Sequence, residues 1–300
     1  ALRGCDARVW SYFNRFADGG VDDYLPWILR GEGEPMPLWF KAGKKLSADD
    51  LKWMMRDHFE GTPLDMTQDI GAGPFDVPYR WRPMSYTVDS VEYTHERAIA
   101  TQQTGFSFVS SMNSSRPDAM KGILWFGVDD ANTCVYVPVF NSTRTVPYQL
   151  SEGNGDMYNL SWDAMFWVNN YVANQAYNRY SQMIPDIRRV QSGLETAMDK
   201  AVAEEQKRIE GKSYAEAQAD LQKLTDYWTE KSTRDYKSLG DYLFVKYLDG
   251  NIKKEKDGKF ERNEAGTPMQ PVFGGYNQRY FESIAKSPGG ERLKVVDIKE

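Results

Sequence analysis

Gly122-Ile-Leu-Trp-Phe-Gly-Val128 and Thr133-Cys-Val-Tyr-Val-Pro-Val-Phe140, joined by Asp129-Asp130-Ala131-Asn132, decide the fold class. Both runs are short, apolar without alternation and rich in β-branched and aromatic residues, which predicts strands buried on both faces inside a layered structure. The linking tetrad consists of turn formers, so the two strands are expected as a hairpin. Just upstream, residues 96–112 alternate and are rich in Thr, Phe, Val and Ser, which predicts another strand, kinked near Gly105.

Past Pro147 the apolar period changes from 2 to 3.6. Trp162, Met165, Phe166, Val172, Ala176, Tyr180 and Met183 fall on one helical stripe, with Ser161 as its cap and Pro185 as its end. Val190, Leu194, Met198, Ala201 and Ile209 continue the pattern to Gly211. Ser213 with Glu216 forms a capping box that opens a third helix through Leu221, Leu224 and Trp228, and an apolar stretch follows from Leu239 to Leu248. Strands mainly within 94–140 followed by long helices over 161–248 predict an α+β fold.

Towards the amino terminus, Val9, Trp10, Phe13 and Phe16 mark one face of a short helix, and Asp22 and Asp23 precede a second that stops at Gly31. Ser47 before Ala48-Asp49-Asp50 reads as an N-cap with acidic residues in the first turn, opening a helix that carries Leu51, Met54, Met55 and His58. Residues 61–83, with four prolines and three glycines, predict a long ordered loop. The organisation expected is helices, loop and strands over 1–150, a helical layer over 151–250, and a surface tail over 251–300.

Composition limits the function. With 41% apolar and 27% charged residues, the 300-residue chain reads as a folded globular protein. A net charge of -6 argues against a surface that tracks phosphates, so no nucleic-acid partner is expected. Its apolar runs are far shorter than the ~20 residues of a bilayer span. Two cysteines and two histidines leave little for a disulfide framework or a zinc site, and nucleotide-binding and serine-elbow motifs are missing, so no metal or cofactor is expected. The opening residues read like the interior of a longer protein, and the compartment stays open between bacterial cytoplasm and a secreted or periplasmic location.

Several residues could carry chemistry. Asp57, His58 and Glu60 place an imidazole between carboxylates where a helix gives way to a loop, an arrangement that suits a base and its orienter or simply a helix C-terminus. Asp129 and Asp130 could raise one another's pKa or bind a cation, or only shape the turn. Cys5 reads as a buried side chain of the first helix rather than a nucleophile, and Cys134 as a core residue. The acidic residues of the long loop, Asp65, Asp69 and Asp76, could meet a substrate's amino group, with the bland reading that they cap turns.

Met55-Arg-Asp-His-Phe-Glu-Gly-Thr62-Pro63, Ala72-Gly-Pro-Phe75, Thr101-Gln-Gln-Thr-Gly-Phe-Ser-Phe-Val109, Gly122-Ile-Leu-Trp-Phe-Gly-Val-Asp-Asp130, Ser161-Trp-Asp-Ala-Met-Phe-Trp167, Tyr180-Ser-Gln-Met-Ile-Pro-Asp186 and the stretch from Gly240 to Asn251 together resemble the dipeptidase A family. These are cysteine dipeptidases among the N-terminal nucleophile hydrolases. The resemblance implies an αββα sandwich, a dipeptide substrate and a cysteine nucleophile whose own amino group takes its proton. It also implies that this chain corresponds to a C-terminal portion, inactive alone, with the nucleophile in a missing N-terminal portion and no catalytic residue here. Where some related hydrolases carry an arginine this chain has Gln103, which with Thr104, His58 and the loop aspartates is expected to bind substrate. The opposing expectation is a non-catalytic module with an aromatic groove for peptide or sugar.

Overall fold

The computed structural model describes residues 2–296. It is a mixed structure of helix and sheet, in agreement with the α+β expectation. Helices α1 (Ala7–Phe16), α2 (Leu25–Arg30) and α3 (Ala48–Met54) come first, followed by a hairpin of β1 (Ser85–Val88) and β2 (Val91–Thr94). The central sheet holds β3 (Phe106–Met112), β4 (Gly122–Val128) and β5 (Val137–Phe140) in the antiparallel order β3-β4-β5. Three long helices, α4 (Met165–Asn178), α5 (Tyr180–Arg208) and α6 (Tyr214–Lys246), then build the largest core.

One face of the sheet presents Val109, Ile123 and Trp125 to that core. Buried Lys52 of α3 places its Nζ 3.7 Å from the centre of the Trp125 ring, a cation–π contact, and pairs with Asp49 and Asp199. Pro138 is tolerated in β5 because that strand lies at the edge, and its carbonyl accepts a hydrogen bond from Thr225 Oγ1 of α6, so this edge is covered. The other face and the β3 edge differ. Phe106, Phe108 and Met112 are 60%, 49% and 77% exposed.

Several local expectations are corrected. Only residues 106–112 of the expected strand 96–112 are extended in the sheet, while the hairpin over 85–94 was not foreseen. The second strand starts at Val137 rather than Thr133, and the two-strand connection lengthens to 129–136. The reason is competition for its backbone: the Tyr136 N–H donates to Glu195 of α5, and the carbonyls of Asn132 and Cys134 accept from Gln191. Ser161 does not cap α4, which starts after Ala164; its hydroxyl instead donates to Asn154.

The helical break falls at Arg179, whose φ is -145°, not at Pro185. Pro185 lies in the second turn of α5, where it forfeits only the hydrogen bond to the Ser181 carbonyl. The capping box read at Ser213 with Glu216 forms, and the N-cap read at Ser47 is itself a capping box, with Asp50. The α6 helix runs unbroken through the stretch 229–238, so the expected third helix and the segment 239–248 are one element. His58 is not on α3, which ends at Met54. Cys5 is exposed rather than buried, and Cys134 is buried as expected.

Residues 251–296 carry four two-residue strands, β6 to β9 (Asn251–Ile252, Glu255–Lys256, Lys259–Phe260, Val272–Phe273), and helix α7 (Gln278–Lys286). The last four residues of the expected tail lie outside the described ones. This region reaches back to the long loop: Asn277 donates to the Gly73 carbonyl and to Asp76, and Arg279 to the Thr67 carbonyl and to Asp76.

Two helical glycines make opposite predictions. A Cβ on Gly240 would lie 2.3 Å from the Tyr171 ring, where α6 crosses α4, whereas a Cβ on Gly193 meets nothing within 4 Å. Gly240→Ala is therefore expected to destabilise by roughly 1–3 kcal/mol, despite the better helix propensity of alanine. Gly193→Ala should stabilise by up to about 1 kcal/mol. Urea denaturation of both variants checks the pair.

Candidate functional site

The densest arrangement of chemically capable side chains lies where the 129–136 connection meets the corner after α3 and the start of α5. Asp130 is fully buried. Its Oδ2 accepts from the Thr133 amide and hydroxyl, and the Tyr177 hydroxyl donates to both of its oxygens at 3.2 Å. Burial pushes its pKa up, opposed by nearby His58 and by the hydrogen bonds from Thr133, Asn132 and Tyr177.

Asn132 links this group to α5. Its amide donates to Tyr180 at 3.0 Å and to Tyr177 at 3.4 Å, while Arg188 donates to its side-chain and main-chain oxygens. Tyr177 and Tyr180 stand three residues apart across the α4–α5 break, with rings stacked at 5.6 Å. Asp129 has a left-handed backbone, φ 68°, and a buried carboxyl that accepts from Asn170. Its Oδ2 has no partner among the described residues, and burial raises its pKa to about 7 against the pull of the Asn170 hydrogen bond.

The corner at 57–60 supplies a second set. The fully buried His58 ring has Nδ1 3.3 Å from Glu60 Oε1, while its amide donates to Glu60 Oε2 at 2.7 Å. Burial raises the Glu60 pKa, but the contacts with His58 outweigh it and hold it at about 2. His58 Nε2 is buried without a hydrogen-bond partner among the described residues. Asp57 accepts from the Ser11 hydroxyl, from Arg15 and from the Phe59 amide.

The other expected site residues lie on a different stretch of surface. Asp65 caps its own turn, accepting from Gly61, Thr67 and Gln68. Asp69 caps the next turn at Gly71 and pairs with Arg80 at 2.5 Å. Asp76 faces Asn277 and Arg279. Gln103 accepts from the Tyr79 hydroxyl, and Thr104 donates to the Thr101 carbonyl within its own turn. Tyr79 ties the two regions, because its ring meets that of Tyr177 at 5.8 Å.

Two cavities flank the cluster. One of about 450 Å³ is mostly apolar, bounded by Gly105, Phe106, Phe126, Val128, Phe166 and Trp167 among others; it starts beside Asp129, whose N–H donates to the Gly105 carbonyl. The other, about 370 Å³, is polar and opens between α1, the corner and α5. Sequence reading picked out His58 and the paired aspartates but missed Asn132, Tyr177, Tyr180, Arg188 and Asn170. The recurrence of Asn170, Asn174 and Asn178 every four residues on α4 was the available signal.

The chain is similar to known proteins over this same region. The model of Peptidase family C69 matches residues 2–193. A "Probable dipeptidase" from Latilactobacillus sakei is 25% identical over 137 residues, which is 46% of this chain and 24% of that protein. A "Dipeptidase" from Bifidobacterium longum (strain NCC 2705) is 23% identical over 175 residues, 55% of this chain and 28% of that protein. The chain thus matches about a quarter of the length of each curated relative. No helix among the described residues is long and apolar enough to cross a membrane.

Asp129 yields a pH prediction. A carboxyl whose folded pKa is raised to about 7 from an unfolded value near 4 binds its proton more tightly when folded. Stability from this group is full below pH ~4 and declines as pH rises through about 7. Asp129→Asn keeps the acceptor for Asn170 and removes the titration, so its Tm relative to the parent should climb by several degrees between pH 4 and 8. Thermal melts across that range check it.

Proposed function

The chain belongs to peptidase family C69, and from that footing we propose that it is the C-terminal portion of a longer cysteine dipeptidase. In this reading a cysteine at the start of the missing N-terminal portion attacks the substrate's peptide carbonyl, its own amino group taking the thiol proton. The first amine leaves, and water then hydrolyses the thioester. Donors at the oxyanion stabilise each tetrahedral state. No catalytic nucleophile is assigned to this chain. Neither described cysteine suits that role. Cys134 is buried, with its thiol pushed up to about 12 by burial, and Cys5 lies within the chain with no free amino group beside it.

The single observation that carries the reading is the family match across residues 2–193, which takes in the sheet, the 57–60 corner and the 129–136 connection. The exposed sheet face supports it. Phe106, Phe108 and Met112 line up beside half-buried Leu124 and Phe126 on one side of the sheet, which is the surface a second layer of an αββα sandwich requires. We place the missing portion against that face.

The substrate-binding region proposed here includes His58, Gln103, Thr104 and the loop that carries Asp65, Asp69 and Asp76. Because each of these aspartates is bonded within the protein, the loop serves as an ordered wall. A non-catalytic module binding peptide or sugar in the apolar cavity is the competing reading, favoured only by the absence of an assignable nucleophile among the described residues.

The test is reconstitution. The 300-residue chain incubated with a panel of dipeptides should show no turnover above blank, and the same chain joined to its upstream coding region should hydrolyse them. Turnover by the short chain that vanished in Cys5→Ala would refute the proposed division of labour. In the active protein, Asp69→Asn, which breaks the Arg80 pair, is expected to lower kcat/KM by about tenfold, ~1.4 kcal/mol of transition-state binding. Steady-state kinetics of single Asn variants at 65, 69 and 76 measure this, and parental values in all three would remove the loop from the groove.

A further inference from the structure

The hairpin of β1 and β2 stands apart from the rest of the molecule. Residues 85–94 are all exposed, and among the described residues their hydrogen bonds run to one another or to Met84 at the base. Tyr86 lies opposite Tyr93 and Val88 opposite Val91, and side chains alternate along a strand, so these four share one face. The other face carries Ser85, Thr87, Glu92 and Thr94. The apolar four are 41–52% exposed, and their cover comes from close by: the Tyr86 ring stacks on Tyr93 at 5.6 Å and leans on His95 at 5.0 Å. A two-stranded hairpin with one uncovered apolar face is marginal in water and gains stability from a surface laid on that face.

The charges along this arm identify that surface. Its tip is the Asp89-Ser90 turn, with φ of 48° and 65°, and Glu92 lies close behind it. Its base carries Arg82 and Arg97, both exposed, around a small hollow that Arg80, Met84 and Glu96 also line. Arg80 is taken up by Asp69, and Glu96 is engaged as well. The side chains of Arg82, Arg97, Asp89 and Glu92 have no hydrogen bond or ion pair among the described residues. Strands of this length, at ~3.4 Å per residue, set tip and base about 14 Å apart. That exceeds the screening length of about 8 Å at physiological salt, so the two ends do not neutralise one another. Side-chain size is graded the same way, with the tyrosines level with the base and the valines next to the tip.

We infer that the arm is a self-association surface, on which two copies of this chain lay their hairpins face to face and antiparallel about a two-fold axis. Each acidic tip then meets the basic base of the other copy, and each tyrosine pair packs on a valine pair, large against small. A parallel arrangement sets tip on tip and base on base, like charge against like. Trp81, 57% exposed and edge-on to the Tyr79 ring at 5.7 Å, extends the apolar surface at the base, where the other copy's tip arrives. The contact is small, under the ~1,200 Å² that marks the low end of specific interfaces, so a dissociation constant in the micromolar range follows. The inference is independent of the peptidase reading, since it uses neither substrate nor nucleophile.

Sedimentation velocity of the 300-residue chain across the micromolar range, in low and high salt, is the primary measurement. A monomer–dimer equilibrium that weakens as salt rises is expected. Val91→Lys, at an exposed position, should weaken the dimer at least tenfold with Tm unchanged. Arg97→Glu and Asp89→Lys should each weaken it about tenfold alone, because each sets like charges together at both ends of the contact. Mixing these two variants should restore association to the parental strength, as a heterodimer. A monomer at every concentration, a dimer indifferent to Val91→Lys, or single charge variants whose mixture associates no better than either alone would each overturn the inference. Hydrogen exchange on the chain joined to its upstream coding region covers the rival occupant: protection of residues 85–94 in a monomer of that longer protein assigns the arm to the missing portion and overturns the inference as well.

Discussion

The grip of helix α5 on the 130–136 backbone is the constraint on which the rest of this molecule depends. That stretch passes through the interior without a strand partner; its Thr133 and Cys134 amides turn back to the Asp130 carbonyl, and other peptide groups need donors or acceptors from distant side chains. Glu195 and Gln191 provide them, and Arg188 adds a third hold on Asn132. Tyr236 of α6 completes the set by donating to the Thr133 carbonyl. Because Glu195 also binds Arg56, the same carboxylate joins the sheet, the corner after α3 and the helical layer at one point. Removing it would strand the buried Tyr136 amide and leave the largely buried Arg56 guanidinium with the Cys134 carbonyl but without its counter-charge.

The acidic pair at the head of this stretch is costly to bury, and the protein meets that cost unequally. Asp130 is ringed by an amide and hydroxyls that donate to its oxygens. Asp129 is served by one amide and held in a left-handed conformation. Burial raises the pKa of both carboxyls, opposed at Asp130 by several hydrogen bonds and nearby His58 and at Asp129 chiefly by the bond from Asn170.

Much of the fold was legible in the sequence because it is written in local periodicity. The helix caps at Ser47 and Ser213, the change of period after Pro147 and the apolar strand 122–128 each depend on residues within one element. What was not legible depended on competition between distant groups. The strand expected from Thr133 lost its first four residues to side chains about 55 to 60 positions away, and Pro185 failed to end a helix because Arg179 had already ended one, its guanidinium bound to the carbonyls of Tyr247, Gly250 and Asn251. The site followed the same rule. His58 and the aspartates were visible as residue types, whereas Asn132 and Arg188 matter only through the distance that folding closes between them.

The β3 strand carries a consequence for the chain handled by itself. Its sequence, Phe106-Ser-Phe-Val-Ser-Ser-Met112, contains no charge, no proline and no bulge, and its outer row of amides and carbonyls faces away from β4. Native edge strands are normally blunted by one of those devices, and a bare one templates the addition of further strands. Two copies of this chain meeting edge to edge would continue the sheet across the contact and bury their phenylalanines against each other. Solubility of the isolated chain is therefore a matter of concentration, and a single lysine in place of Ser110, whose side chain faces solvent, is the natural gatekeeper that the sequence lacks.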